Sequence, residues 1–261
     1  GVITKVSPLE KTPLLGIEIM RRMLDFTQPS TYCGIGTNPK TMVPLVKRFF
    51  KRSVGVMDQF YMINPRINEF QIIKNLDHKK GQSKLKEKKN RPIVNLATKE
   101  FITKNFKNIF ANDQMPKKSL AYLSKRYFEH PLYKYKTFSI EENNKISLLI
   151  LREVSIKKST ALRVIDFIGN VRLFLKLNEW FHELMTKNNY EYIDILCSGL
   201  DEKMLMQSGF TKLDNDGDMI IPNYFEPFVQ KNVKVHYEKS NENLIIFKGD
   251  ADGDRPSKWK T

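Results

Sequence analysis

Three sets of residues have the types and spacing to do chemistry. The first is the turn K-T-P-L-L-G-I, from Lys11 through Leu14, Leu15 and Gly16 to Ile17. Val6 and Pro8 lead into it, and an apolar helical stripe of Leu15, Ile19, Met23 and Phe26 follows. The first amides of a helix lack intrahelical partners and lie at the positive end of its dipole, so they suit a phosphate-bearing ligand. Lys11 would add a point charge, and Gly16 would let a ligand approach the backbone closely. The plain alternative is an ordinary strand-turn-helix with a chance Lys and Gly. The second set is Asp166 in V-I-D-F-I. A carboxylate among apolar neighbours tends to a raised pKa and suits a general base. Its plain alternative is a structural carboxylate bonded to backbone or to Arg152 or Arg163. The third set is Asp250, Asp252 and Asp254, spaced D-x-D-x-D. A calcium loop needs Glu at its twelfth position, which here is Thr261, so no metal site is expected. This turn, with Arg255, is expected to pack beside a cleft or cap a sheet edge. His78, His130, His182 and His236 are scattered without metal spacing, and His182 is expected on the polar side of its helix.

The elements that must position these residues are legible in part. A helix over 14–26 is followed by a strand at 31–36 closed by Gly34 and Gly36. Asn38 before Pro39 suits the start of a helix running to Phe50, and G-V-M-D-Q-F-Y-M-I at 55–63 reads as one strand. Residues 77–91 are basic and polar, with no aromatic residue on which a base could stack, and read as a solvated linker. A helix is expected near 98–110, and another from a Ser119 cap to Phe128. Strands at 135–140 and 146–154 flank the polar turn Glu142-Asn143-Asn144 as a hairpin. A strand at 162–168 ends in Gly169-Asn170. A helix follows over 171–187, then a strand at 190–197, a short helix at 201–207, and strands at 218–221 and 243–247.

The motifs resemble those of the GNAT acyl-CoA N-acyltransferases. The family's strand-to-helix turn reads roughly V-x-P-x-x-R-x-x-G-x-G-x-x-L-M. Val6 and Pro8 fall on its V and P, Lys11 on its Arg, Gly16 on its second Gly, and Ile19-Met20 on its L-M pair. Leu14 replaces the first Gly. The resemblance implies that Lys11, Leu14, Leu15, Gly16 and Ile17 hold the pyrophosphate of acetyl-CoA or another acyl-CoA. G-I-G-T-N-P-K-T-M-V-P-L-V-K-R at 34–48 is similar to the family's late strand, Asn-containing turn and last helix, which adds Asn38 to the expected donor contacts. Many members carry a Tyr acid in that region; the matching positions here are Val46 in one half and Leu205 in the other. A base often lies on the family's fourth strand, which again points to Asp166. The order of elements repeats between the halves, and the ending G-D-A-D-G-D-R-P resembles tails of tandem GNAT-like proteins associated with surface-polysaccharide biosynthesis.

The expected architecture is therefore α/β: two GNAT-like units with mixed sheets, the first incomplete at its N-terminus. Residues 1–75 form the closing part of the first unit, 76–118 a basic linker and connecting helix, 119–249 the second unit, and 250–261 the acidic tail. With 261 residues the chain can build one large or two ordinary cores. Its formal charge of +15 favours anionic partners without choosing among them. Cys33 and Cys197 sit in apolar runs and read as free thiols. No apolar run approaches the roughly 18 residues of a spanning helix. The chain is read as cytoplasmic, and as starting within its first unit on the fourth strand.

The functional expectation is acyl transfer from acyl-CoA to an amine of a sugar or cell-envelope precursor, a small-molecule acceptor. The competing expectation is a catalytically silent GNAT-like domain that binds a partner or precursor. The replacements at Leu14, Val46 and Leu205 favour the silent domain. Specific nucleic-acid binding ranks last, since no recognisable module interleaves aromatic and basic residues.

Overall fold

Alternation of helical and strand patterns in this chain produces two larger sheets that trade strands, and a separate two-stranded one. The computed structural model describes residues 9, 12–76, 91–109, 114–250 and 254. In chain order the first elements are α1 (Leu15–Thr27), β1 (Cys33–Ile35), α2 (Met42–Phe50), β2 (Ser53–Val56), β3 (Asp58–Ile63), β4 (Ile93–Leu96) and α3 (Lys99–Ile109). Then come α4 (Leu120–Leu123), β5 (Lys136–Glu142), β6 (Lys145–Ile156), β7 (Ser159–Ile168), α5 (Asn178–Lys187), β8 (Tyr192–Ser198) and α6 (Glu202–Gln207). The last strands are β9 (Thr211–Lys212), β10 (Tyr224–Phe225), β11 (Phe228–Val229), β12 (His236–Lys239) and β13 (Ile246–Phe247).

The large sheet runs β4-β5-β6-β7-β8-β3-β9, with β13 also on β8. Every pairing in it is antiparallel except β7 with β8, so the sheet is mixed. The small sheet runs β1-β12-β2. The expected single strand at 55–63 is thus two strands in two sheets. Met57 is the pivot: it is buried, and its amide bonds the carbonyl of Val235 at 2.9 Å. In the other direction β12, from late in the chain, lies between β1 and β2. Each sheet is completed by a strand from the other half.

Several expectations change in detail. Residues 93–96, assigned to the linker region, form β4 and pair with β5. Residues 218–221 give only an isolated bridge between Ile220 and Lys74. The helix expected at 171–187 begins as a 3-10 turn, Val171–Lys176, capped by the Asn170 side chain, before α5. His182 is buried on α5, not on a polar side. The hairpin turn holds: Asn143 and Asn144 both have positive φ, 50° and 60°, as a tight two-residue connection requires.

One face of the large sheet buries Leu149, Leu151, Val164, Phe167 and Ile195 against Phe174, Phe181 and Met185. The opposite face buries Leu148, Ile150, Ile165 and Ile168 under Ile102, Ile109 and Leu123 of α3 and α4. Farther along that face, Val154, Ala161, Tyr192 and Ile221 form a second cluster. The polar residues of interest lie between these two clusters.

Candidate functional site

The expected donor turn starts α1. Leu14 caps the helix with left-handed backbone, φ 58°, and its carbonyl accepts from Ile17 and Glu18 at 2.8 and 3.1 Å. The amides of Leu15 and Gly16 meet no acceptor among the described residues. Leu14 is exposed, Leu15 and Gly16 are half-buried, and Ile17 is buried. Lys11, Val6 and Pro8 lie outside the described residues. The Asn38 side chain is occupied locally, accepting from the amides of Lys40 and Thr41 at 2.9 and 3.2 Å. Val46 and Leu205 are fully buried apolar residues.

Asp166 sits elsewhere, in the large sheet. Ile150 faces Asp166 and Leu151 faces Val164, so Ile165 is the extra residue of a bulge in β7. The Asp166 side chain is fully buried and pairs with Lys118 Nζ at 2.5 Å. It also accepts from the Tyr127 hydroxyl at 2.5 Å and from the Phe167 amide at 2.9 Å. Lys118 reaches Asp250 as well, at 2.9 Å. Burial would lower the Lys118 pKa, but Asp166 and Asp250 outweigh it and hold the ammonium above its usual range. Burial raises Asp250, since one lysine cannot offset two enclosed carboxylates. Burial, with Asp250 beside it, also pushes the Cys33 thiol up to about 12, so it stays protonated at neutral pH. Among the described residues Asp166 is bonded to none of residues 12–18, so the two expected parts of the site are not joined by contact.

The parting of β7 and β8 explains where Asp250 comes from. Leu162–Val164 pair in parallel with Ile193–Ile195, and beyond them the strands diverge. Residues 246–250 enter the gap. β13 takes up Cys197 and Ser198, the Lys248 amide bonds the Leu196 carbonyl at 3.1 Å, and the Gly249 amide bonds the Ile165 carbonyl at 2.7 Å. Only glycine fits at 249: a Cβ there would stand 2.6 Å from the Tyr127 hydroxyl and 2.8 Å from the Ile165 carbonyl. Of the acidic turn's carboxylates, those of Asp250 and Asp254 are paired, while Asp252 and Arg255 lie outside the described residues. Asp250 takes Lys118 and the Phe247 amide, and Asp254 takes Arg152 at 2.7 Å and the Tyr135 hydroxyl at 2.9 Å. No metal-ligating cluster occurs among the described residues.

Beside this insert is a cavity of about 140 Å³ that the sequence did not signal. β6 supplies Arg152, β7 supplies Arg163, and the insert supplies Lys248, with Tyr133, Asn223 and Tyr224 around them. Arg163 is held by Asp194 at 2.9 and 2.6 Å, a two-point pair. The Lys248 ammonium donates to the Asn223 carbonyl at 3.0 Å. Burial, followed by the charge of Arg163, brings its pKa down to about 7. A Lys in an apolar run reads as ordinary until the fold places two guanidinium groups beside it.

No protein-family model matches the chain, and no curated protein matches it. Among solved structures, a conserved protein of unknown function from Staphylococcus epidermidis is similar at 13% identity and a TM-score of 0.45, over 90% of this chain and 81% of that one. A protein from Enterococcus faecalis described as a probable N-acyltransferase is similar at 6% identity and a TM-score of 0.49, over 88% of this chain and 51% of its own length. At those scores neither likeness bears on the chemistry of this chain. What stands from the fold itself is an α/β protein with mixed sheets, in which no described helix is long and apolar enough to cross a membrane.

Proposed function

We propose that the chain is an acyltransferase that moves an acyl group from acyl-CoA to an amine of a small acceptor, a sugar or cell-envelope precursor. In this reading the halves are two GNAT-like units in the cytoplasm, and the donor lies on the first of them. The observation that carries it is the start of α1, where the amides of Leu15 and Gly16 have no acceptor among the described residues, in the turn that resembles the family's pyrophosphate loop. Gly16 leaves the backbone accessible, and the helix dipole favours the diphosphate. Asp166 is the base in this reading, and it would act only when Lys118 moves off its carboxylate.

A second reading has its own observation. The gap between β7 and β8 is filled by Lys248–Asp250, which leaves no room there for an extended donor arm. That favours a second unit that binds a precursor without catalysis. Calorimetric titration with acetyl-CoA separates the two. The transferase reading expects saturable heat that Gly16→Glu removes while the melting temperature holds. Absence of heat at near-millimolar ligand would leave the silent reading.

A further inference from the structure

The large sheet ends on two edges of different character. At one end β9 is two residues long, and its Lys212 is tied to Asp58 and Glu202 at 3.0 and 2.7 Å. A short, charged edge of this kind resists pairing with another chain. At the other end β4 reads I-V-N-L, with no charge, no proline and no bulge in its pairing with β5. Ile93 is 62% and Leu96 68% exposed, and Asn95 is exposed as well. The Ala97 amide donates to the Thr137 carbonyl at 2.8 Å. Antiparallel pairs alternate, so residues 93 and 95 also turn their backbone groups to β5, and Val94 and Leu96 turn theirs outward. Among the described residues nothing pairs with that outer side.

We propose that β4 pairs with β4 of a second copy of this chain, antiparallel across a two-fold axis at Asn95, so that two large sheets join into one. In that register Val94 of each copy faces Leu96 of the other, and the outward amides and carbonyls of both residues are all satisfied. An axis at Val94 would instead set Leu96 against Pro92, which has no N–H. An axis at Leu96 would set Val94 against Thr98, whose carbonyl is taken by Ile102 at 3.1 Å. The side chains agree with the axis at Asn95. Leu96 shares its face with Phe138, which stands edge-on to Trp180 at 5.0 Å, so the facing Val94 and Leu96 extend an apolar surface that already exists. On the other face Ile93 meets Ala97 of the second copy. The two Asn95 side chains, each with a donor and an acceptor, meet on the axis, where facing side chains come closest. This self-complementarity singles out a second copy as the occupant, since one strand supplies both sides. The charges at the ends of the pairing arrive compensated: Arg91 is tied to Glu179 and, at 2.8 Å, to Glu183, and Lys99 to Glu129 at 2.5 Å. The proposal does not depend on acyl transfer.

The test is sedimentation velocity on the full chain at about 0.3 M salt, which confines the repulsion between two chains of formal charge +15 to about 6 Å. The wild type is expected to pass from one copy to two between about 1 µM and about 200 µM, the range of a small interface. Asn95→Lys and Asn95→Asp each set like charges on the axis. Each is expected to weaken association by about tenfold or more at an unchanged melting temperature, since Asn95 is exposed. Mixing the two variants in equal amounts should restore association, because Lys then faces Asp. Hydrogen exchange of the wild type needs no variant: the Val94 and Leu96 amides should slow on passing from dilute to concentrated protein. A single copy at every concentration, association untouched by either variant, no recovery on mixing, or exchange of residues 93–97 blind to concentration would each overturn the pairing.

Discussion

The amide of Gly249 donates to the carbonyl of Ile165, the bulged residue of β7, at 2.7 Å. That bond seats residues 248–250 inside the large sheet, where they supply Asp250 to one polar cluster and Lys248 to another. Gly249→Ala would drive a methyl against the Tyr127 hydroxyl and that same carbonyl. Overpacking of this kind costs about 1–3 kcal/mol, and here both neighbours are fixed by their own hydrogen bonds. Denaturant unfolding should show the loss as a lower midpoint at unchanged slope.

Lys118 is the cation between Asp166 and Asp250, and all three side chains are enclosed. Lys118→Met would leave two buried carboxylates unpaired, at a cost of about 3–5 kcal/mol near neutral pH. Asp250 already has a folded pKa above its unfolded one through burial, and loss of the lysine would raise it further. Stability would then be present at low pH and lost as pH rises, so the deficit should widen from about pH 4 to about pH 7. Urea titrations of wild type and variant at several pH values measure it.

Lys248 has the opposite linkage. Its folded pKa, about 7, is below the ordinary lysine value of 10.5, so the unfolded chain binds the extra proton between those limits. Wild-type stability should gain about 1.4 kcal/mol per pH unit across that window from this one group. Lys248→Met should therefore be more stable than wild type, with a gap that is widest below about pH 7 and closes toward about pH 10. A constant gap would mean that the amine is not buried in charged form.

The exchange of β3 and β12 between the sheets predicts joint unfolding. β3 pairs with β8 over six residues, and β12 pairs with β2 over four. The Arg52–Glu238 ion pair, at 2.7 Å, is buried across the β12 exchange. Neither half keeps its sheet without the other. Thermal melts followed by far-UV circular dichroism and by tryptophan fluorescence, to which Trp180 in the second half contributes, should coincide. Two separate midpoints would show that the halves are independent.

How much of this was legible in the sequence depended on whether the signal was local. Period and punctuation placed α1, α3, the β5–β6 hairpin and β7, because each carries its own apolar stripe and its own stop. Ser119 was readable as a cap, and its hydroxyl does accept from Tyr122 at 3.1 Å. The split at Met57 was not readable. Gly55 through Ile63 reads as one strand-like run, and what divides it is Val235, far away in the chain. β12, H-Y-E-K, has no apolar alternation, since it is an inner strand whose Glu238 and Lys239 are buried through pairing with Arg52 and the Leu244 carbonyl. The same non-local cause hid the Lys248 cavity. Arg152, Arg163 and Lys248 are ordinary residues in sequence, and only the parting of β7 and β8 gathers them. Asp166 was legible as a buried carboxylate. Lys118, its partner across the fold, was not.

Hydrogen–deuterium exchange of the full chain, with and without coenzyme A, tests the central claim most directly. If the α1 start holds the donor, peptides covering residues 12–20 should slow their exchange on adding ligand, while β13 and the Lys248–Asp250 insert stay unchanged. Protection confined to residues 246–250, or none anywhere at saturating coenzyme A, would contradict it.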